Sequence, residues 1–157
     1  MGISSCLTKF FGTKRSVYMD SSLWQSRRVL ITGNTGFKGS WLSLWLQCLG
    51  AQVIGYALNP PTEPNLFEAA KVAEGMSSIP GDVLNKNELH QVIAKYRPEV
   101  VFHLAAQSLV RESYKNPVQT FSTNVMGLVH LLEAVRSVDG IRGGRLEAGI
   151  GRWWVSV

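Results

Sequence analysis

The sequence has few cysteines and no long apolar run, and both absences exclude classes of protein. Its only cysteines, Cys6 and Cys48, are too few for a disulfide framework and are not paired at metal-ligand spacing. No apolar run approaches the roughly 20 residues needed to span a bilayer. The first 18 residues lack the apolar core of a secretory signal. We therefore predict a cytoplasmic chain with no membrane partner.

The part of the chain that is expected to fold also lacks a net charge. Residues 20–140 contain ten basic and ten acidic residues, so the formal charge of +5 arises entirely at the two ends. A nucleic-acid-binding domain would carry a basic face on its folded part. The charge distribution thus argues against a nucleic-acid partner.

Short β-branched runs alternate with helical patterns along most of the chain. The predicted strands cover residues 28–32, 52–57, 77–82 and 100–104. Three main helices are predicted: one that ends at Gly50, one that begins at Asn85, and one that runs from Pro117 to about Val138. Strands that alternate with helices in this way are typical of parallel sheets. We predict an α/β fold, an incomplete doubly wound parallel sheet with strand order 3-2-1-4.

The pattern changes after Gly140, where a fifth strand is due. Residues 141–157 show neither strand alternation nor a helical face, and they are rich in glycine, arginine and tryptophan. The sequence predicts an aberrant or disordered tail, produced by a frameshift or junction, that leaves the fourth strand as an unpaired edge. The predicted organisation is a flexible extension over 1–22, a folded domain over 23–140, and this tail.

Three glycines follow the first predicted strand at a spacing of three residues. Gly33 permits a tight turn, Gly36 lets main-chain amides approach a pyrophosphate, and Gly39 allows the next helix to pack closely on the sheet. The N-terminus of that helix supplies unpaired N–H groups for phosphates. This context favours dinucleotide binding over a purely structural glycine turn.

Further segments resemble the extended short-chain dehydrogenase/reductase superfamily. They are the glycine turn, Gly81-Asp82, the run from His103 to Gln107, and Thr123-Asn124-Val125-Met126-Gly127. Gly36-Phe37-Lys38-Gly39-Ser40-Trp41 and the stretches 55–62 and 105–111 narrow the resemblance to the CDP-glucose 4,6-dehydratase family, over residues 23 to about 140.

The resemblance implies a Rossmann-like domain that holds NAD against a nucleotide-sugar substrate, and a homo-oligomer in the intact family member. In that family NAD takes a hydride from C4 of the sugar, water leaves across C5 and C6, and the hydride returns to C6. The residues implied in NAD binding are Gly33, Asn34, Gly36, Phe37, Lys38, Gly39, Asp82, Val83, Leu104, Ala105, Ala106, Gln107 and Asn124. Arg111 is implied in binding the substrate.

Some family features are missing from the sequence. Leu58 and Asn59 stand at the end of the second strand, where an acidic residue would grip the ribose of NAD, and Asn34 stands where histidine is expected. The family's Thr/Ser-Asp-Lys and Tyr-x-x-x-Lys segments do not occur, so no catalytic residue is predicted and the chain is expected to be inactive. A non-catalytic dinucleotide-binding module and another nucleotide-sugar dehydratase or epimerase remain as alternatives.

Several residues have structural interpretations beside the functional ones. His103 is either a hydrogen-bonded core residue or a neighbour of the cofactor. Lys38 either contacts a phosphate or is solvated. Arg111 is either a phosphate ligand or the partner of Glu112. We predict that Trp41 and Trp45 lie in the core. No nucleophile at Ser113 or Tyr114 and no metal site at His90 or His130 is expected.

Overall fold

The computed structural model describes residues 21–138, 143–147 and 152–155. The strands are β1 (Arg28–Thr32), β2 (Gln52–Ala57), β3 (Ser77–Pro80), β4 (Val100–His103), β5 (Gly143–Glu147) and β6 (Arg152–Val155). The α-helices are α1 (Phe37–Cys48), α2 (Leu66–Ala69), α3 (Lys86–Tyr96), α4 (Val110–Lys115), α5 (Pro117–Phe121) and α6 (Gly127–Arg136). Two 3₁₀ turns lie at Ser21–Leu23 and Val72–Gly75, and a π-helical turn at Ser122–Met126 joins α5 to α6.

The sheet has the order β3-β2-β1-β4-β5-β6. The first five strands are parallel, and β6 runs antiparallel beside β5. The predicted order 3-2-1-4 is therefore confirmed. Because β2 and β4 flank β1 on opposite sides, the chain reverses its winding direction at β1, and the carboxyl ends of β1 and β4 border the crevice where such folds bind ligands.

The sheet is covered on both faces. One apolar cluster joins β-strand residues such as Leu30 to Leu89 and Ile93 of α3 and to Leu131 of α6. The other cluster joins Val29, Ile31 and Val53 to Leu46 of α1. Since strands of such a sheet are buried on both sides, their nearly continuous apolar runs follow directly from the architecture.

The boundaries of the helices follow local signals in the sequence. Asn85 caps α3 by accepting a hydrogen bond from the N–H of Glu88, as the Asn-x-x-Glu spacing predicts. Arg97, with φ of 44°, ends that helix just before Pro98. Gly50, with φ of 84°, follows Leu49, the C-cap of α1, and allows the chain to leave the helix.

The prediction that β4 is an unpaired edge was wrong, whereas the assignment of residues 141–157 as an aberrant or disordered tail stays a prediction. β5 pairs in parallel with β4, from Val100 with Gly143 to His103 with Leu146, so β4 is not an unpaired edge. Strand pairing uses main-chain N–H and C=O groups, which every non-proline residue offers, so a free strand edge accepts a segment without apolar alternation. The remaining tail residues and residues 1–20 lie outside the described part of the chain.

Two other expectations also differ from the structure. Trp41 and Trp45 are 42% and 38% exposed, because α1 packs on the sheet through Gly39, Ser40, Ser43 and Leu46 instead. Cys48 is disulfide-bonded, a bond that the sequence did not predict. In the described part of the chain, no helix has the length and apolar composition needed to span a membrane.

Candidate functional site

The glycine turn after β1 lies directly against the chain that leaves β4. Gly33 has φ of 75°, and a Cβ on it would lie 2.7 Å from the carbonyl carbon of Leu104 and from the nitrogen of Ala105. Only glycine combines this left-handed conformation with such a close approach. The turn and the loop after β4 thus form the two adjoining walls of the crevice between β1 and β4.

Gly39 and Gly36 have different surroundings. A Cβ on Gly39 would overlap the carbonyl oxygen of Gly33 and would lie 2.8 Å from the Cα of Asn34. Gly39 therefore permits contact between the first turn of α1 and the glycine turn itself, whereas the sequence predicted contact with the sheet. A Cβ on Gly36 would have only the oxygen of Gly33 nearby, at 3.4 Å. The space beside Gly36 is open.

The first turn of α1 presents main-chain donors toward this open space. Gly36 is the N-cap and supplies no capping side chain, and its own N–H donates to Gly33. Among the described residues, the amides of Phe37, Lys38 and Gly39 have no acceptor, since the helical hydrogen bonds begin with Ser40 donating to Gly36. The side chains of Phe37 and Lys38 are exposed. Such an end combines free donors with the positive end of the helix dipole and suits an anion.

Asn34 has an unusual position within the turn. Its side chain is fully buried against Gly55, its Nδ2 donates to the Oγ of Ser78 at 3.3 Å, and its Oδ1 has no partner among the described residues. A buried acceptor without a partner costs free energy unless a water or a ligand satisfies it. Asn34 also accepts at its main-chain oxygen from the Oγ of Ser40, which ties the turn to α1.

His103 is a buried, hydrogen-bonded residue at the end of β4. Its Nδ1 lies 2.6 Å from the Oγ1 of Thr32, and Thr32 Oγ1 also accepts from the N–H of Ala105. The hydroxyl proton of Thr32 is therefore free to point to His103 Nδ1. Burial lowers the pKa of His103 to about 4, so the ring is neutral near pH 7. This geometry favours the core interpretation and makes His103 part of the support for the loop after β4.

The residues after β3 lie near the same edge of the sheet. Asp82 is half-buried, and its Oδ1 accepts from the N–H of Leu84 at 2.9 Å. The side chain of Val83 is buried in the core, so only its main chain is available for a ligand. Sequence reasoning missed Tyr56, whose hydroxyl donates to the main-chain oxygen of Asp82, and burial followed by the charge of Glu88 raises its pKa.

The loop after β4 is held by a side chain from the π-helical turn. Asn124 Oδ1 accepts from the N–H of Gln107 at 2.8 Å, and Asn124 Nδ2 donates to the main-chain oxygen of Gln107 at 3.0 Å. The side chain of Gln107 in turn accepts from the N–H of Leu109. Of the predicted binding residues here, Leu104 and Ala105 are half-buried and Ala106 is exposed. The sequence placed Asn124 in this region but gave no sign of its partner.

The remaining candidates lie at the rim. Arg111, near the start of α4, is exposed and makes no ion pair within the described part of the chain, where Glu112 instead accepts from Asn116. Leu58, at the exit of β2, is 61% exposed, and its main-chain oxygen accepts from Thr35 Oγ1. The described residues contain no group of three histidine, cysteine or acidic side chains suited to a metal ion.

Comparison with known proteins agrees with this architecture. The sequence model described as GDP-mannose 4,6 dehydratase matches residues 30–146. The CDP-glucose 4,6-dehydratase of Salmonella typhimurium strain LT2 is 55% identical over 124 residues, which are 79% of this chain and 34% of that protein. The CDP-paratose 2-epimerase of Salmonella typhi is 36% identical over 71% of this chain and 33% of its own length. The chain thus spans about a third of the length of these relatives.

Solved structures show the same arrangement. The UDP-glucose 4-epimerase of Thermus thermophilus, a complex with NAD, has a TM-score of 0.65 and 32% identity, covering 74% of this chain and 36% of that one. The UDP-glucose 4-epimerase of Thermotoga maritima, with UDP-glucose, has a TM-score of 0.67 and 27% identity, covering 76% and 37%. The Rossmann-like fold inferred from the strand order is therefore shared with enzymes that act on nucleotide sugars.

Proposed function

Because the chain belongs to the GDP-mannose 4,6 dehydratase family, we propose that it is the NAD-binding part of a nucleotide-sugar 4,6-dehydratase. The observation that carries this proposal is the first turn of α1, where three amides without acceptors border the open side of Gly36. A pyrophosphate supplies anionic oxygens for these donors. CDP-glucose is the proposed substrate, supported by the 55% identity to a CDP-glucose 4,6-dehydratase.

The residues of the crevice fit a dinucleotide. The amides of Phe37, Lys38 and Gly39 would hold the pyrophosphate, and the exposed ammonium group of Lys38 adds charge to the rim. We propose that the orphaned Oδ1 of Asn34 and the carboxylate of Asp82 provide acceptors for N–H and O–H groups of the adenosine. The main chain from Leu104 to Gln107 would line the nicotinamide side. We propose NAD, because the related UDP-glucose 4-epimerase of Thermus thermophilus is a complex with NAD. The residues at the end of β2 include neither an acidic residue for the ribose nor an arginine for a 2′-phosphate, so they do not decide between NAD and NADP.

NAD, when bound, would supply the hydride-transfer chemistry of the reaction. This chain's own contribution is to bind and orient, with Arg111 proposed to meet a phosphate of the nucleotide sugar. The 157-residue sequence contains neither Tyr-x-x-x-Lys nor Thr/Ser-Asp-Lys. Each missing proton-transfer group costs a factor of about 10²–10⁴ in rate. We therefore expect the chain to bind NAD and CDP-glucose without turnover.

A non-catalytic dinucleotide-binding module is the second candidate, favoured by the same missing segments. The two candidates differ in substrate binding: a dehydratase part should bind CDP-glucose in the presence of NAD, with Arg111→Ala weakening that binding, whereas a plain module should bind NAD alone. Formation of a keto sugar from CDP-glucose by the 157-residue chain would contradict the expectation of no turnover. A cytoplasmic location stays a prediction.

The cofactor site is tested with Gly36→Val. The branched side chain would enter the open space beside Gly36, so we expect NAD to bind at least about tenfold more weakly, while the thermal midpoint without NAD stays close to that of the parent chain. Isothermal titration of NAD into both proteins measures this. Ala69→Val, an exposed position on α2, is the matched control and should bind NAD normally. Equal affinity in the Gly36 variant would overturn the assignment of the phosphate turn.

We also propose that the protein forms a homo-oligomer through α5, the π-helical turn and α6. From Pro117 to Leu132 the sequence has no charged residue, and Val118, Phe121, Val125 and Val129 are 80%, 68%, 49% and 46% exposed. Exposed apolar stripes of this kind mark interaction surfaces. Sedimentation of the parent chain should show a dimer that Phe121→Glu dissociates. A parent chain that stays monomeric at high concentration would contradict this proposal.

A further inference from the structure

The π-helical turn Ser122–Met126 departs from regular helix geometry where the helix passes the loop after β4. Gly127, the residue after the turn, packs against the core: a Cβ on it would lie 2.7 Å from Cγ2 of Val83. Single π-helical turns inside α-helices are frequently found at functional sites. Here the close approach at Gly127 brings the turn to the sheet edge, and Asn124 lies at its centre.

We propose that Asn124 is a positioning residue, whose carboxamide fixes the main chain of Gln107 and so sets the crevice wall formed by Ala105 to Leu109. Both hydrogen-bonding ends of the amide are used by Gln107, one as acceptor and one as donor. Each end of the amide keeps one further lone pair or N–H, so this role stands beside the cofactor binding that the family resemblance implies. This inference rests on the proposed NAD site, because it states what Asn124 does there.

Two further hydrogen bonds hold the loop without Asn124. Ala105 donates to Thr32 Oγ1, and Gln107 Oε1 accepts from Leu109. Among the described residues, Asn124 is the only helical side chain that bonds to the main chain between Ala105 and Leu109. Without Asn124 this anchor is lost. Gln107 lies between Ala105 and Leu109 and is half-buried. The loop wall would then have to be ordered when a ligand binds, and this ordering weakens the affinity.

The test uses the full 157-residue chain and two variants of Asn124. Asn124→Leu keeps the branched shape and removes both hydrogen bonds, whereas Asn124→Asp keeps the acceptor for the N–H of Gln107 and loses the donor to its oxygen. Gln119→Ala is the matched control, since Gln119 is an exposed amide side chain one turn earlier on α5. Residue-resolved hydrogen exchange and NAD titration are measured for each protein.

We expect the Gln107 amide to exchange at least about tenfold faster in Asn124→Leu, with protection partly rescued in Asn124→Asp, while amides of β1 keep their exchange rates. NAD should bind about tenfold more weakly to Asn124→Leu and normally to Gln119→Ala. Unchanged exchange at Gln107 would overturn the positioning role, and so would faster exchange with unchanged NAD affinity. If the parent chain bound no NAD, the proposed function would fail, whereas the exchange at Gln107 would still decide whether Asn124 holds the loop.

Discussion

The turn between β1 and α1 and the loop after β4 border the same crevice, but different contacts shape them. A Cβ at Gly33 or Gly39 would collide with neighbouring main chain, so the turn requires residues without a side chain at these two positions. The loop instead depends on polar side chains from elsewhere, Thr32 and Asn124, that bind its main chain. The turn is thus encoded within one short run of consecutive residues, whereas the loop is assembled from separate parts of the sequence.

The turn should be broken most severely at Gly39. In Gly39→Ala the added Cβ overlaps the main-chain oxygen of Gly33, which cannot move without displacing the start of α1, so we expect a loss of about 3 kcal/mol in the free energy of unfolding. Urea denaturation measures the loss. Gly36→Ala is the control, because its Cβ would lie 3.4 Å from the nearest neighbour, and it should cost less than about 1 kcal/mol. Equal losses in the two variants would contradict this account of the turn.

The support of the loop should depend on pH through His103. Burial lowers its pKa to about 4, whereas the unfolded chain has the ordinary value near 6.5, so the unfolded state binds the proton first as the pH falls. Stability is therefore fully present above about pH 6.5 and is lost progressively toward pH 4. Between pH 7 and pH 5 the contribution of His103 should fall by about 2 kcal/mol.

Urea denaturation at both pH values, compared between the parent chain and His103→Gln, isolates this contribution. The variant should be less stable at pH 7, because Thr32 loses its ring partner, yet its stability should change less between the two pH values. The same pH dependence in both proteins would show that other groups cause it.

The smallest effect is expected from Thr35, an exposed hydrogen-bonding side chain of the turn. Thr35 Oγ1 donates to the main-chain oxygen of Leu58 at 2.8 Å in an exposed position, where water replaces a lost partner. Thr35→Val should therefore cost only about 0.5 kcal/mol in thermal or urea unfolding, and Thr35→Ser should be close to the parent chain. A loss as large as that of Gly39→Ala would mean that side chains, and not glycines, shape the turn.

The sequence predicted the site residues of the turn better than those of the loop. The tight turn at Gly33 is confirmed and the packing partner of Gly39 needed correction, whereas the approach of a pyrophosphate at Gly36 stays a prediction. Asn124 and Val83 were placed in the right region, but the partner of Asn124 and the burial of Val83 were not predictable. A spacing pattern identifies residues that share an element, whereas the contact between residues 107 and 124 depends on how two elements pack.

The sequence by itself determined β1, the glycine turn, the caps of α3 and the order of the first four strands, because periodicity, glycine and capping residues act over a few neighbours. Only the tertiary structure decided which face of α1 is buried, since close packing at Gly39, Ser40 and Ser43 leaves no room for Trp41 and Trp45 beneath the helix. It also decided that β5 pairs with β4. This pairing uses main-chain hydrogen bonds, which any non-proline residue can make, so the side chains of the sequence did not reveal it.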